Sequence, residues 1–344
     1  MVPSIDKSNM YQILKDFHLQ IQEAVKIANS FEFKNFDIQN VNKIIINGMG
    51  GSAIGGDLVR SYTLYETSIP IFINRNYRLP SFADENTLVI ISSYSGNTEE
   101  TNSAYAEAIY KNCKILCITS GGKVEETARK NNHNFVIIPG GLQPRCAIGY
   151  SFFTLLILLT KLGFIKDKSA EIHSVIAMVK ENSATFSSLD EKVSPALQIA
   201  KELKGKLPVI YSSVDVLDVV NLRWRGQISE NAKMLAFGNF YPEMNHNELV
   251  GWELNKEILK NIVVVFLKDV EDIARIQTRM SITEDIYVKL ASAILTIKGE
   301  GKTLLERIFY LIYLGDWISY HLAVLNNVDP TPVDAINYLK NKLA

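Results

Sequence analysis

The stretch Lys43-Ile-Ile-Ile-Asn47, followed at once by Gly48-Met-Gly-Gly-Ser-Ala-Ile-Gly-Gly-Asp57, decides the fold of the first half of the chain. The β-branched run predicts a strand, and the glycine-rich segment predicts a tight turn into a helix. Four similar runs follow at helix-length intervals, at residues 69–73, 87–92, 114–119 and 134–138. Because these runs are continuously apolar, we expect strands buried on both faces of a parallel sheet. The first half is therefore predicted to be a doubly wound α/β domain.

A second series of apolar runs occupies the other half of the chain, at residues 208–212, 261–267 and 286–290. The longest predicted loop covers residues 238–251, and a long helix is predicted from 303 to 325. A polar stretch at 165–169 separates the two series. We therefore predict an amino-terminal domain over residues 1–164, with a leading helix, and a carboxy-terminal domain over residues 165–344, with a terminal helix.

The charge balance argues against a dedicated DNA-binding protein. The 344 residues include 36 Lys and Arg against 37 Asp and Glu, a net charge of −1 with neutral His. Binding to nucleic acid depends on a concentrated basic surface, which this composition does not predict. With 47% hydrophobic and 21% charged residues, the chain is expected to fold throughout.

Several features favour a cytoplasmic location. The amino terminus lacks the basic and apolar segments of a secretory signal. The apolar stretches at 152–159 and 304–325 end at or contain charged residues, so neither predicts a span of about 20 apolar residues. Three cysteines are present, and Cys113 and Cys117 lie on one predicted strand, which is poor geometry for a disulfide. We expect no membrane span and a reducing compartment.

The glycine-rich segment after the first strand predicts an anion site. Glycines allow close backbone approach, and a helix amino terminus offers free N–H groups and the positive end of a dipole. A dinucleotide site is the competing interpretation, since Gly48, Gly50 and Ala53 match Gly-x-Gly-x-x-Ala and Arg75 could receive a 2′-phosphate. A tight strand-to-helix turn that binds no ligand is the third interpretation.

A second loop, Ser92-Ser-Tyr-Ser-Gly-Asn-Thr-Glu-Glu-Thr101, helps to decide between them. Ser93, Ser95 and Thr98 supply three hydroxyls within six residues at another predicted helix start, where Gly96 permits a nest of backbone N–H groups. A simple helix cap needs only one hydroxyl. A dinucleotide domain has no need of this second loop, whereas a sugar phosphate needs one loop for its phosphate and another for its sugar.

These two loops together resemble the sugar isomerase (SIS) domain. With Gln143-Pro-Arg145, Ser229-Glu-Asn-Ala-Lys233 and Pro242-Glu-Met-Asn-His-Asn-Glu248, the chain resembles the bifunctional phosphoglucose/phosphomannose isomerase family from about residue 40 to its carboxy terminus. The order of five motifs makes this resemblance more specific than any single motif.

The resemblance implies two SIS-type doubly wound domains, each a parallel sheet flanked by helices, in a homodimer with shared active sites. It implies reversible isomerisation of glucose 6-phosphate and mannose 6-phosphate to fructose 6-phosphate, without a metal or other cofactor. The implied substrate-binding residues are Gly50, Gly51, Ser52, Ser93, Ser95 and Thr98. The implied catalytic residues are Glu230 as base, His246 and Lys340 as ring-opening groups, and Arg145 as charge stabiliser; Lys342 is the alternative to Lys340.

The chemistry supports these roles independently. Moving a carbonyl between C1 and C2 needs one carboxylate that takes a proton from one carbon and returns it to the other. Glu230 could do this, although a solvated helix charge is the general alternative. Arg145 could stabilise the enediolate, and His246 titrates in the range needed for ring opening. No His or Cys spacing predicts a zinc site.

Two other functions stay open on the sequence. A sugar-phosphate sensor would keep the SIS fold without turnover, but such a regulator usually adds a basic helix-turn-helix segment, and residues 1–40 are too short and too mixed in charge for one. An NADP-dependent reductase would leave the loop from Ser93 to Thr98 unexplained.

Two further predictions concern single residues. Thr331 is a candidate for the small residue that the family associates with tolerance at C2. The apolar residues before His246 favour donation of this histidine across a dimer interface.

Overall fold

A computed structural model describes residues 3–343. The chain divides into two compact units. One comprises Phe17–Ile176, and the other combines the residues up to Asp16, which include helix α1 (Met10–Lys15), with those from Ala177 onward. Each unit contains one parallel sheet flanked by helices, which confirms the predicted α/β fold class.

The unit of residues 17–176 is built on a five-stranded parallel sheet with strand order β2-β1-β3-β4-β5. Its strands are β1 (Lys43–Asn47), β2 (Ile71–Asn74), β3 (Thr87–Ser93), β4 (Lys114–Thr119) and β5 (Asn134–Ile137). The five predicted runs all form strands, with ends displaced by at most two residues. The strand order reverses between β1 and β3. In an open α/β sheet such a switch point leaves a crevice outside the carboxyl ends of the two strands, where ligands bind.

Helices cover both faces of this sheet. They are α2 (Phe17–Ser30), α3 (Gly50–Thr63), α4 (Glu99–Tyr110), α5 (Gly122–Lys130), α6 (Ile148–Lys161) and the first part of α7 (Ser169–Phe186). Every residue of β3 is buried, as expected for a strand covered on both sides. Tyr105 of α4 packs with Val89, Ile91 and Cys117 in one apolar core. This rigid sheet fixes the loops that follow β1 and β3.

The second unit has a four-stranded parallel sheet with strand order β7-β6-β8-β9. Its strands are β6 (Leu207–Ser213), β7 (Phe237–Tyr241), β8 (Ile262–Lys268) and β9 (Ala293–Lys298). Its further helices are α8 (Pro195–Leu203), α9 (Asp218–Ala232), α10 (Lys256–Leu259), α11 (Ala274–Tyr287), α12 (Leu304–Leu325) and α13 (Asp334–Leu343). By position in the order, β6 corresponds to β1 and β8 to β3.

α12 is the longest helix in the described part of the chain and lies inside the second unit. By length and composition it could cross a membrane, but 89% of its most apolar window is buried within the protein, as in a core helix. It also holds the amino-terminal segment. Tyr11 of α1 packs edge-on against Trp317 at 5.2 Å, and the Tyr320 hydroxyl donates to the buried Asp6 carboxylate at 3.1 Å.

The limits of the compact units differ from the predicted boundary at residues 164 and 165. The polar stretch after α6 stays with the first unit, because Lys168 pairs with Glu66 at 2.6 Å and the Tyr62 hydroxyl donates to Glu171 at 2.6 Å. The later part of α7 belongs to the second unit, where the Ser183 hydroxyl donates to the carbonyl of Lys15. The division into domains over residues 1–164 and 165–344 stays a prediction.

The predicted strand at residues 286–290 is wrong. α11 continues to Tyr287, and the last strand of the sheet is β9. The buried residues of α11 are Ile276, Met280, Thr283 and Tyr287, which follow the period of a helix. The neighbouring Ile286 and Val288 are exposed on the outer face of this turn, so their β-branched character misled the prediction.

The predicted loop at 238–251 is wrong at its start, because β7 forms there as an edge strand. Its residues are mostly half-buried, and Gly238 and Asn239 are weak strand formers. Position 238 must be glycine, because a Cβ atom there would lie 2.2 Å from the carbonyl oxygen of Ile210. Close strand contact, rather than strand propensity, explains β7.

Candidate active site

The loop between β1 and α3 leads into a helix amino terminus that no side chain caps. α3 begins at Gly50, and Met49, which precedes it, makes no side-chain capping hydrogen bond. Gly50 has φ of +50°, a conformation that favours glycine. The first N–H groups of a helix lack partners within the helix and can bind an anion. This geometry supports the predicted anion site at Gly50, Gly51 and Ser52.

The loop between β3 and α4 carries the three predicted hydroxyls. Ser93 is the last residue of β3 and is buried, Ser95 is exposed, and Thr98 precedes the first residue of α4. Thr98 makes no capping hydrogen bond to α4, although threonine is well suited to do so. Its oxygen instead lies 3.4 Å from the Ser93 hydroxyl. The interpretation of Thr98 as a simple helix cap is therefore not supported.

The structure brings these two loops together at the switch point between β1 and β3. The Ser52 hydroxyl accepts a hydrogen bond from the backbone N–H of Tyr94 at 3.1 Å. A Cβ atom on Gly48 would lie 2.6 Å from the carbonyl of Ser92, so only glycine allows this approach. Two helix amino termini and a group of hydroxyls thus meet at one edge of the sheet. The arrangement can bind an anion without a lysine.

The segment that carries Arg145 lies against the first turn of α3. Pro144–Cys146 form a short 3-10 helix in which Arg145 is only 4% exposed. A Cβ atom on Gly51 would lie 2.5 Å from the carbonyl oxygen of Pro144. The structure therefore places the backbone of Arg145 beside the predicted anion site. A buried cation here can stabilise negative charge that develops on a bound substrate.

Two supporting residues were not found by sequence reasoning. The Gln20 side chain donates to the carbonyl of Cys146 at 2.9 Å and accepts from the N–H of Gly149 at 2.7 Å. The Tyr94 hydroxyl accepts from the N–H of Leu142 at 3.0 Å, and burial raises the pKa of Tyr94. These contacts hold the Arg145 segment from both sides. Tyr94 stood within a recognised motif, but nothing in the sequence pointed to Gln20.

Arg75 does not have the setting that the dinucleotide interpretation requires. Its guanidinium is paired with the carboxylate of Asp57 in α3, and burial lowers the pKa of Arg75. A 2′-phosphate would have to displace this carboxylate. The reductase alternative therefore loses the cation on which it depended.

Glu230 lies half-buried in the last turn of α9, in the second unit. The helix α9 is tied to α12 by buried polar contacts. Arg223 and Gln227 both donate to Asp316, at 2.7 Å and 2.8 Å, and Asn231 donates to Ser319 at 2.9 Å. The carboxylate of Glu230 is thus presented from a rigid helix, as a general base requires.

His246 and Lys340 have different surroundings. His246 is the last residue of a 3-10 helix, Glu243–His246; its side chain is exposed and makes no hydrogen bond or ion pair with residues 3–343. Lys340 lies in α13, which has no buried residue within its described length. No contact within the described chain brings Lys340 to His246. The Nζ atom of Lys342 lies 5.7 Å from the centre of the Tyr338 ring. This contact does not distinguish the two lysines, so the choice between them stays a prediction.

The remaining predictions concern Thr331 and metals. The backbone N–H of Thr331 donates to the Asp329 carboxylate at 3.0 Å, which fixes the turn before α13. Within residues 3–343, no group of three or more His, Cys, Asp or Glu side chains is arranged to hold a metal ion.

Comparison with known proteins identifies the family. Residues 192–343 match the family model of the bacterial phospho-glucose isomerase C-terminal SIS domain. The chain is 44% identical over 336 residues to a bifunctional phosphoglucose/phosphomannose isomerase from Caldicellulosiruptor bescii, covering 97% of this chain and 99% of that protein. It is 38% identical over 330 residues to one from Aquifex aeolicus, covering 94% and 99%.

Among solved structures, the C-terminal domain of glucosamine-fructose-6-phosphate aminotransferase from Francisella tularensis has the same fold. The TM-score is 0.69 at 14% sequence identity, and the match covers 94% of this chain and 97% of that chain. At this identity the likeness concerns the fold alone. The resemblance drawn from the sequence motifs is therefore confirmed by the full-length relatives.

Proposed function

This chain belongs to the family of bifunctional phosphoglucose/phosphomannose isomerases, and we propose that it interconverts glucose 6-phosphate and mannose 6-phosphate with fructose 6-phosphate. The observation that carries the proposal is the pair of loops at the β1–β3 switch point. Their hydroxyls and uncapped helix amino termini suit a phosphate and the adjoining sugar, which the substrates of this reaction share.

The phosphate is assigned to Ser93, Ser95 and Thr98. These hydroxyls and the first N–H groups of α4 are donors, so they stabilise a dianion without placing a mobile side chain beside it. Gly50, Gly51 and Ser52 face the sugar from the first turn of α3. Specificity for a terminal phosphate then comes from the fixed distance between the two loops.

Glu230 is assigned as the base. Its carboxylate takes the proton from C2 of the open-chain aldose, which gives a cis-enediolate, and returns a proton to C1 to form the ketose. Arg145 stabilises the negative charge that appears on the enediolate oxygens. Loss of the C2 proton converts glucose 6-phosphate and mannose 6-phosphate to the same cis-enediolate, so one base can serve both aldoses.

His246 and Lys340 are assigned to ring opening, in which one group protonates the ring oxygen and the other removes the proton from the C1 hydroxyl. Lys342 is the alternative to Lys340, and Thr331 is the candidate for tolerance at C2. No metal or cofactor has a role in this scheme, because side chains and helix termini supply every proton transfer and charge contact.

We further propose a cytoplasmic homodimer in which His246 enters the active site of the neighbouring chain. Support comes from the exposure of His246 without a described partner. Exposed apolar side chains follow it along the chain: Val250, Leu254 and Ile258. A group of exposed apolar side chains of this kind is typical of an interaction surface.

A coupled assay of the purified protein tests the function. Formation of fructose 6-phosphate is measured from each aldose separately, with and without prior treatment with EDTA. We expect turnover of both substrates and no loss after chelation. Binding of both sugars without turnover would instead favour the sensor, and turnover restored only by added zinc would contradict the metal-free mechanism.

A further inference from the structure

His246 is exposed, but the chain on either side of it is anchored. Met244, two residues before it, is fully buried. Trp252, at the end of the next 3-10 helix (Glu248–Trp252), is 5% exposed and packs in the same apolar core. His246 therefore lies on a short arch between two buried anchors. A catalytic imidazole needs such support, because an unsupported turn would sample many positions.

Glu248 forms the polar support of this arch. One carboxylate oxygen accepts a hydrogen bond from the Tyr211 hydroxyl, and the other accepts from the Asn239 side chain at 2.7 Å. Tyr211 and Asn239 are register partners on β6 and β7, so their side chains lie on one face of the sheet. The backbone N–H of Phe240 fixes Asn239 by donating to its oxygen at 2.8 Å. Both carboxylate oxygens are thus bound by the sheet.

Tyr211 holds both ends of the second 3-10 helix. Its hydroxyl donates to Glu248 and accepts from the Trp252 indole N–H at 3.2 Å. Burial raises the pKa of Tyr211, so its hydroxyl stays protonated and remains a donor. Asn247, between His246 and Glu248, caps Glu248 through its side-chain oxygen and donates to Glu243 at 3.0 Å. Little freedom is left at position 246.

We propose that Glu248 is a positioning residue that holds His246 in place for ring opening, through its bonds to Tyr211 and Asn239. The proposal rests on the proposed function, since it acts through the role assigned to His246. Glu248 itself does not need to touch the sugar. A displacement of about 1 Å at a catalytic group can cost on the order of 100-fold in rate.

Ring opening can be measured apart from isomerisation. In a Glu230→Gln background, where proton transfer between C1 and C2 is lost, exchange between the α and β anomers of glucose 6-phosphate is followed by NMR magnetisation transfer. We expect Glu248→Gln to slow this exchange by on the order of 100-fold. Glu202→Gln is the control for loss of one negative charge, because Glu202 is exposed on α8 and should leave the rate unchanged.

A double-mutant cycle separates positioning from general stabilisation. In a His246→Ala background, Glu248→Gln should cause no further loss of anomer exchange. If it reduces the rate by the same factor with and without His246, the proposal is overturned. Tyr211→Phe is a second variant in case Glu248→Gln folds poorly. It removes one donor to Glu248 but retains the aromatic ring, so it should cause part of the same loss of anomer exchange.

Rescue by a polarity exchange gives a further test. In Glu248→Gln the side-chain amide group can bring its N–H₂ against the N–H₂ of Asn239, so that two donors face each other. Asn239→Asp replaces the second donor with a carboxylate oxygen, which can accept from the amide. The double variant Glu248→Gln/Asn239→Asp should regain most of the exchange rate. The imidazole NMR signal of His246, identified by its absence in His246→Ala, should change in Glu248→Gln and return in the double variant.

The outcomes distinguish the two proposals. If the wild-type enzyme turns over both aldoses but Glu248→Gln exchanges the anomers at the normal rate, the positioning role is wrong and the proposed function stands. If the wild-type enzyme neither isomerises nor opens hexose 6-phosphates, the proposed function fails at that point, before any variant is made.

Discussion

The two sheets share a topology but end in loops of opposite chemistry. At the carboxyl ends of β1 and β3, the loops contain glycine and hydroxyl residues and open two helices whose first N–H groups are not capped by side chains. At the corresponding ends of β6 and β8, the loops contain the acidic residues Asp215, Asp269, Glu271 and Asp272, and Asp218 is the first residue of the helix that follows β6. In our account a phosphate binds at the first edge, whereas the negative side chains disfavour one at the second.

A buried arginine near the second edge is already paired with acidic side chains. Arg307, in the first turn of α12, makes two hydrogen bonds to Asp269, at 2.7 Å and 3.1 Å, and pairs with Glu271 at 2.9 Å. The Arg307 and Asp269 side chains are almost fully buried. The comparison shows that fold topology alone does not create a site. The first sheet binds the substrate anion in our account, whereas the second unit carries the proton-transfer groups Glu230 and His246.

The largest expected effect follows from removing the base. Glu230→Gln keeps the shape of the side chain but cannot accept a proton, so kcat should fall by about 10²- to 10⁴-fold. The affinity for glucose 6-phosphate, measured by calorimetry on the inactive variant, should change little because the phosphate loops are intact. Glu202→Gln, at an exposed position of α8, is the control for loss of one negative charge. Solvent tritium entering the substrate at the wild-type rate would remove Glu230 from the mechanism.

The second prediction concerns the acidic edge of the other sheet. Asp269→Ala leaves the Arg307 guanidinium buried without its main partner, and should lower the free energy of unfolding by about 3–5 kcal/mol. Glu271→Gln, at a position 67% exposed, should cost less than about 1 kcal/mol. Chemical denaturation measures both.

In each case the KM of the folded enzyme should stay unchanged, because this edge binds no substrate in our account. A rise of KM of tenfold or more in Glu271→Gln would show that the second sheet also contacts the sugar phosphate, and the contrast between the two sheets would not hold.

The third prediction concerns the hydroxyl loop of the first sheet. Ser95→Ala combined with Thr98→Ala should raise KM for both aldose phosphates, since each lost hydrogen bond to a charged group costs about 1.5–3 kcal/mol. Stability should change little, because Ser95 is exposed and Thr98 does not cap α4. Thr278→Ala combined with Ser281→Ala removes two exposed hydroxyls from α11 and serves as the control. An unchanged KM would place the phosphate elsewhere.

The smallest signal is expected from mixing two inactive variants. If His246 acts in the partner's site, heterodimers of Glu230→Gln and His246→Ala chains contain one intact site of two. Equal mixing should then restore about one quarter of wild-type activity. Subunit exchange is verified with differently tagged chains. A mixture that exchanges but stays inactive would show that His246 acts within its own chain.

The sequence predicted those parts of the molecule that depend on local pattern. The strand β3 is buried along its whole length and therefore has an unbroken apolar run, and the loop from Ser93 to Thr98 shows its hydroxyl density directly. By contrast, β7 is held by the close approach of Gly238 to Ile210, and α11 continues to Tyr287 because that ring is buried. Both depend on neighbours that are distant in the chain.

The same limit applies to the candidate site. Arg145 was found from its motif, but its support by Gln20 joins residues more than 120 positions apart. The tie between Glu248 and the register pair Tyr211 and Asn239 required the alignment of β6 with β7, and nothing in the sequence indicated that β7 exists. Local motifs identify the chemical groups, and the tertiary structure identifies what holds them.

The most direct test of the account is a crystal structure of Glu230→Gln with glucose 6-phosphate bound. We predict that the phosphate lies at the carboxyl ends of β1 and β3, with its oxygens about 2.7–3.2 Å from donors of Ser93, Ser95 and Thr98. The loops after β6 and β8 should hold no phosphate. A phosphate bound at those acidic loops, or anywhere apart from the Ser93–Thr98 loop, would contradict the account.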